Sequence, residues 1–330
     1  MKSSLDMIPD LPRGRGFFSA MKTKRNISLA LSLLSLLLLC AGLALGRRSS
    51  QGQAPGRVEA PDRIVSLAPS ITEILFALGL EGKIVGVTEF CDYPPAAKAL
   101  PKVGGFRGLN LEALLAQKPD LVLATRDGNP ARDLGRISEL GVRVETFQPA
   151  TLEQVLEEFA AIGQETGRQP AAQELVAACR QKLDLVRSRT QGLQPVKVLF
   201  AYGRDPLVLA GQGTFADDLI RNAGGINIAG DSAIPYPRFS LEEVIARAPE
   251  VIVESAMGSE AEAAERARES WSRWGTLPAV RDLRIAVINA DLVARPGPRL
   301  FDGLILMAKI LHPEAFPPDG RFQTCPTNLP

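Results

Sequence analysis

Two stretches far apart in the chain say nearly the same thing, and this constrains the fold more than any other feature. Asn110-Leu-Glu-Ala-Leu-Leu-Ala-Gln-Lys-Pro-Asp-Leu-Val-Leu123 aligns without a gap with Ser240-Leu-Glu-Glu-Val-Ile-Ala-Arg-Ala-Pro-Glu-Val-Ile-Val253. A helix-capping residue, the Leu and Glu after it, the apolar core positions, an Ala, a Pro, an acid and a run of strand residues all correspond. A generic helix-then-strand unit would match only in its apolar pattern. Two related α/β units, one in each half, account for the likeness better than chance does.

The surrounding pattern repeats the same order. In the first half, Arg63–Leu67 reads as a strand broken by Ala68-Pro69. Ser70-Ile-Thr-Glu73 then has the spacing of a capping box, opening a helix that stops at Gly79. Strands are expected at Ile84–Val87, Leu121–Ala124 and Val142–Thr146, with helices over Leu111–Gln117 and about 131–140. In the second half, strands fall at Val196–Ala201, Val251–Glu254 and Ile285–Asn289, and helices at Phe215–Ala223 and Leu241–Arg247. Between the halves, Pro170–Gln191 has apolar residues at helical spacing, enough for about 33 Å of helix. It reads either as one long helix joining two lobes or as an ordinary surface helix. The expected organisation is a leader and linker over 1–57, an N-terminal lobe over 58–168, a connecting helix over 169–194, a C-terminal lobe over 195–313 and a tail over 314–330.

The formal net charge of +1 hides an asymmetry: nine Lys/Arg and two Asp/Glu lie in residues 1–57, leaving 29 basic and 35 acidic residues for the rest. A mildly acidic folded part argues against a phosphate-tracking surface, and so against nucleic acid as a partner. Lys22, Lys24 and Arg25 precede the apolar run Ile27–Leu45, and Ala44-Leu45-Gly46 offers small residues for cleavage before Arg47. This is the plan of a secretory leader, with Met21 a candidate start. The run is also long enough to remain as an anchor, whereas lipid attachment at Cys40 is opposed by Leu39. Either route puts the lobes outside the cytoplasm, in the periplasm or tethered to the membrane. Cys91, Cys179 and Cys325 remain beyond the leader. Cys91 with Cys325 is a candidate disulfide and free thiols are the alternative, since three cysteines cannot all pair internally.

In open α/β sheets, ligands bind beyond the carboxyl ends of the strands. The predicted strand exits carry Phe90, Tyr93, Tyr202 and Tyr236, with the charged residues Arg126, Arg204, Asp291 and Arg295; Phe106, before Asn110, joins them. Aromatic rings supply flat apolar area and a few polar groups fix orientation. His312 is the only histidine. A transition-metal site would need several His or Cys ligands, and a Ser-His-Asp or Cys-His site would have to use His312, which has no nucleophile motif beside it. There is no dinucleotide fingerprint or phosphate loop. The residues therefore point to a binding protein, not an enzyme, with no resident cofactor or metal.

Several segments together resemble the periplasmic cobalamin and ferric-siderophore binding proteins of ABC importers. They are Arg63-Ile-Val-Ser-Leu-Ala-Pro-Ser-Ile-Thr-Glu73, Val85-Gly-Val-Thr-Glu-Phe-Cys-Asp-Tyr-Pro-Pro95, Asn110-Leu-Glu112, Lys118-Pro-Asp-Leu-Val122, Asn222-Ala-Gly-Gly-Ile-Asn227, Pro235-Tyr-Pro-Arg-Phe-Ser-Leu-Glu242 and Arg295-Pro-Gly-Pro-Arg299. The resemblance, strongest to the cobalamin-binding members, runs from about Asp62 to Pro313. It implies an α/β fold of two Rossmann-like lobes joined by a single long rigid helix, acting as a monomer. It implies a permease dimer with its ATPase as partner, Glu112 and Glu242 as the residues that dock on it, and Phe90, Phe106, Tyr236 and Asp291 as ligand-lining. The implied ligand is cobalamin or a related corrinoid, itself a metal chelate. Where cobalamin-binding members carry a cleft tryptophan, this chain has Thr125, and Trp271 and Trp274 lie in a different segment. Arg126, Arg204 and Arg295 keep an anionic ferric siderophore or haem as the alternative. An exported sensor or enzyme on the same scaffold is the reading from another class.

Overall fold

The protein is described by a computed structural model covering residues 60–105 and 108–317. The leader, Phe106 and Cys325 lie outside the described residues.

The first half alternates strands and helices: β1 (Ile64–Ser66), α1 (Pro69–Ala77), β2 (Ile84–Thr88), β3 (Lys102–Gly105), β4 (Gly108–Leu109), α2 (Leu111–Ala116), β5 (Leu121–Thr125), α3 (Ala131–Glu139), β6 (Arg143–Phe147) and α4 (Leu152–Glu165). Helix α5 (Gln169–Thr190) follows. The second half comprises β7 (Val196–Arg204), β8 (Leu207–Leu209), α6 (Phe215–Asn222), β9 (Gly225–Asn227), α7 (Leu241–Arg247), β10 (Val251–Ala256), α8 (Glu260–Ser272), α9 (Pro278–Arg281), β11 (Ile285–Asn289), α10 (Asp291–Ala294) and α11 (Leu300–Leu311).

The first sheet has the order β4-β3-β2-β1-β5-β6, parallel throughout except for β3 with β4. In the second, β11, β10 and β7 run side by side, and β7 also pairs in parallel with β9 and antiparallel with β8. The orders β2-β1-β5-β6 and β9-β7-β10-β11 correspond strand for strand. Strands β1 and β5 are almost wholly buried, so they read in the sequence as unbroken apolar runs, as buried parallel strands do.

The repeated segment folds the same way twice, down to single residues. Asn110 caps α2 by accepting from Ala113 N, and Ser240 caps α7 by accepting from Glu243 N. Lys118 (φ 47°) and Ala248 (φ 48°) then take the left-handed conformation at the same place in the turn, a region that few residues with a Cβ enter. Beyond the following proline, Asp120 accepts from Arg63 N at the start of β1, and Glu250 accepts from Lys197 N near the start of β7. The acid in the aligned segment thus ties the central strand of each sheet to the strand beside it.

Helix α5 is no isolated surface helix. Its apolar face, including Leu175, Cys179, Leu183 and Val186, belongs to one core cluster that also holds Ile71, Leu75, Leu121 and Phe159 from the first half and Phe200, Leu219, Phe301 and Leu304 from the second. Helices α4 and α11 pack on α5, and Phe159 meets Phe301 edge-on at 6.2 Å. At the α4–α5 corner, a Cβ on Gly163 would fall 2.2 Å from the Ala172 Cβ. Only glycine permits that approach. The outer faces of the two sheets carry separate clusters, around Val122 and Ile137 in the first half and around Leu199 and Trp271 in the second.

One local expectation fails. Ser70 and Glu73 do not form a capping box: α1 begins at Pro69, its cap residue is Ala68, and no side chain bonds to the cap. Proline at the first helical position has no N–H to satisfy. The Thr72 hydroxyl instead lies 2.8 Å from Ser66 Oγ, and Glu73 is drawn into an ion pair described below. Cys91 is a buried thiol within hydrogen-bond distance of the Thr72 and Thr88 hydroxyls. Among the described residues no helix is long and apolar enough to cross a membrane.

Candidate ligand cleft and docking face

Glu73 on α1 and the exit loop of β2 meet the segment that links β11 to α11. Arg299, the residue before α11, donates from Nε to Glu73 Oε2 at 2.9 Å and from Nη2 to Oε1 at 2.6 Å. The two side chains are only 15% and 3% exposed. The Arg299 guanidinium also lies over the Tyr93 ring, 4.0 Å from its centroid, and 3.7 Å from Asp291. Asp291 pairs with Arg295 at 3.0 Å, and Arg295 reaches back across to Asp92 at 2.8 Å. Five charged groups and one ring thus form a continuous chain between the halves.

The electrostatics follow from this arrangement. Burial pushes the Glu73 carboxyl upward, opposed by the hydrogen bonds and charge of Arg299. Asp92 moves the other way: some burial acts to raise it, but the hydrogen bond and charge of Arg295 outweigh that, and the net shift is downward. For Arg299, burial is more than offset by Glu73, so its cation is held more firmly than usual.

Two of the ligand-lining candidates belong to this chain, and the others lie at separate strand exits. Asp291 and Arg295 are the two members, partly exposed. Phe90, at the exit of β2, is 39% exposed and lines a small recess of about 90 Å³ with Leu67, Thr88, Asn129 and Pro130. Arg126, exposed, lies in the same β5 exit loop as Asn129, which Asn129 braces by accepting from Thr125 N. Tyr236, in the second half, is 60% exposed. It ends an aromatic series that starts in the core: Phe200 meets Tyr202 at 5.2 Å and Tyr202 meets Tyr236 at 5.4 Å, both edge-on. Burial, then the neighbouring Tyr236, pushes the Tyr202 phenol well above its ordinary value, so it stays neutral.

Two exposed apolar side chains in these loops escaped the sequence reading: Ile234, 56% exposed, and Met257, 90% exposed. The signal for them is in the sequence, since each is an apolar residue next to Pro or Gly in a predicted strand exit.

Glu112 and Glu242 occupy the second position of α2 and α7 and are both exposed. Neither makes an ion pair or side-chain hydrogen bond among the described residues. The contrast with the neighbouring Glu243, which closes a capping box on Ser240, is plain. A carboxylate in the first turn is favoured by the helix dipole, and both remain available to an outside partner.

The model of the periplasmic binding protein family matches residues 64–292, most of the described chain. This chain belongs to the periplasmic binding protein family. Its match runs from β1 into α10. Among relatives of this family, a vitamin B12-binding protein of Vibrio cholerae is 34% identical over 74% of this chain and 86% of its own length. The crystal structure of a periplasmic vitamin B12-binding protein of Vibrio cholerae superposes with a TM-score of 0.68 at 33% identity, covering 77% of this chain and 98% of that one. A periplasmic haem-binding protein of Roseiflexus sp. RS-1 superposes with a TM-score of 0.66 at 30% identity, covering 77% and 99%. Periplasmic binding proteins of this group thus share the two-sheet α/β architecture described above.

Proposed function

We propose that the chain is the substrate-binding component of an ABC importer, and that it captures a corrinoid such as vitamin B12 between its halves and delivers it to a membrane permease. The observation that carries the transport reading is the pair Glu112 and Glu242: equivalent residues, one in each half, exposed and without a partner among the described residues. A two-fold permease meeting a duplicated carrier needs such a pair, with arginines as the natural complement. The corrinoid reading draws on the resemblance to B12-binding relatives and on the exposed rings of Phe90 and Tyr236 at the strand exits.

In this account Phe90, Phe106 and Tyr236 cover the ligand faces, with Ile234 and Met257 adding apolar area. Asp291, Arg295 and Arg126 orient its polar periphery. The ion-pair chain through Arg299 holds the halves in register while this happens, and no bond is made or broken. The protein works as a monomer outside the cytoplasm, periplasmic or held by its uncleaved leader.

Haem is the second reading, favoured by one feature. Tyr236 and Met257 expose a phenol and a thioether in two exit loops of the second half, and both groups are iron-ligand types in haem proteins. Titration calorimetry with cyanocobalamin, then haemin, then a ferric hydroxamate separates these cargoes. One-to-one binding of cyanocobalamin alone supports the corrinoid; one-to-one binding of haemin alone replaces it; no response to any of the three removes both.

A further inference from the structure

The chain contains two tryptophans, and the cleft uses neither. Both line one cavity of about 510 Å³ on the second half, together with Phe239, Leu241, Arg204 and Arg273. Of the residues expected at the strand exits, only Arg204 lines it, because its guanidinium bonds to Arg266 and Ser270 on α8. That volume lies within the range of small-molecule sites, about 300–1,000 Å³.

Each lining group is placed by the fold. Trp271, on α8, is 4% exposed and belongs to the core cluster of the outer sheet face. Its indole N–H donates to Glu254 Oε1 on β10 at 2.7 Å. Trp274 and Phe239 pack against the same cluster while remaining partly exposed. Arg247 lies over Phe239, 4.9 Å from the ring centroid. A register shift in the β7–β8 pairing, between Ala201 and Gly203, comes just before Arg204. Such irregularities re-aim the side chains that follow, and Arg204 reaches α8 instead of following Tyr202. Its guanidinium lies 3.4 Å from Glu254 Oε1, donates to the Arg266 carbonyl at 2.9 Å and bonds the Ser270 hydroxyl.

Two guanidinium groups therefore retain donors at this cavity. Arg204 is pinned through Nε and Nη1, its side chain is still 33% exposed, and its Nη2 has no hydrogen bond among the described residues. Arg273 is exposed and makes no ion pair among the described residues. Asp205 is the one carboxylate in the lining, and Glu254 pairs with Arg204 from behind it, so Arg273 presents the exposed guanidinium of the wall. Guanidinium forks match carboxylates in plane, and aromatic side chains give a planar partner apolar area at little entropy cost.

We propose that this cavity is a second binding site, separate from the strand-exit cleft, for a planar aromatic carboxylate. The ring system lies against Trp274 and Phe239, and the carboxylate is taken by Arg273 and Arg204. The proposal rests on the cavity alone and not on the identity of the transported ligand.

The tryptophans are also its reporters. With 15N-labelled indoles the protein gives two side-chain N–H resonances, assigned with a Trp274→Phe variant. Titration with 2-naphthoate is expected to move the Trp274 resonance saturably, while the Trp271 resonance keeps the folded-state dispersion set by Glu254. Arg273→Gln, a change at an exposed position, should weaken 2-naphthoate at least about fivefold. 2-Naphthol, which lacks the charge, and cyclohexanecarboxylate, which lacks the plane, should each bind at least about tenfold more weakly, near 1.4 kcal/mol. Absence of a saturable shift overturns the proposal. So does equal binding of 2-naphthol, or an Arg273→Gln variant that binds 2-naphthoate as the parent does.

Discussion

Glu73, on the first helix of the N-terminal half, accepts two hydrogen bonds from Arg299, which immediately precedes the last helix of the C-terminal half, 226 residues later. The pair is buried, stacked on Tyr93 and tied through Asp291 and Arg295 to Asp92. It explains how two sheets with separate outer cores are fixed to each other at their strand exits, while α5 and the shared core fix them elsewhere.

Breaking this pair on one side should be severe, because the remaining charge stays buried. Arg299→Met alone, or Glu73→Leu alone, should lower stability by about 3–5 kcal/mol. The Glu73→Leu, Arg299→Met double variant should recover much of that loss, since an apolar pair replaces an ionic one. Urea unfolding midpoints of the three variants check this. A double variant no more stable than the worse single one would contradict the reciprocal pairing.

Glu158, on α4, predicts a pH dependence. It is buried, its two carboxylate oxygens have no hydrogen-bond partner among the described residues, and burial pushes its carboxyl up to about 8. The folded protein therefore holds this proton at pH values where the unfolded chain has released it. The contribution to stability is complete below the ordinary value of 4.5, falls as pH rises, and is gone once pH passes about 8. The total is on the order of 5 kcal/mol. Glu158→Gln should flatten this profile and be the more stable protein at pH 8. Denaturation midpoints between pH 5 and pH 9 test it, and parallel profiles for parent and variant would contradict it.

Tyr236 should matter for ligand and little for the fold, because it is 60% exposed and meets Tyr202 edge-on. Tyr236→Ala should weaken cargo binding about three- to tenfold, the order of one aromatic contact, and leave the unfolding midpoint nearly unchanged. Calorimetry alongside thermal unfolding separates the two effects.

How much of this was legible in the sequence depends on how local each feature is. The central strands were readable because buried parallel strands are continuous apolar runs, and Ile285–Asn289 is observed with the bounds expected of it. The aligned segments were readable because their cap, proline and acid all act within a few residues. Strands β3, β4, β8 and β9 are two to four residues long, and all but β8 contain Gly. They exist only by pairing with a neighbour, so no local pattern announces them. Glu73 shows the limit most clearly. Its spacing from Ser70 satisfies a local rule, but a bidentate bond to an arginine in the other half overrides it, and nothing near Glu73 points to Arg299. The tryptophans likewise stood apart from every expected strand exit, and the cavity they share arises from α7, α8 and β8 meeting in space.

The central claim, that equivalent glutamates seat the two halves on an importer, is tested most directly by uptake. Host cells lacking the chromosomal copy would be complemented with the parent or with the Glu112→Ala, Glu242→Ala double variant, and labelled cyanocobalamin accumulation measured. The account predicts restored uptake with the parent and a loss of at least about tenfold with the double variant, each lost contact being worth roughly 2–5 kcal/mol if docking buries it, while calorimetric affinity for the cargo is unchanged. Uptake by the double variant equal to that of the parent would contradict it.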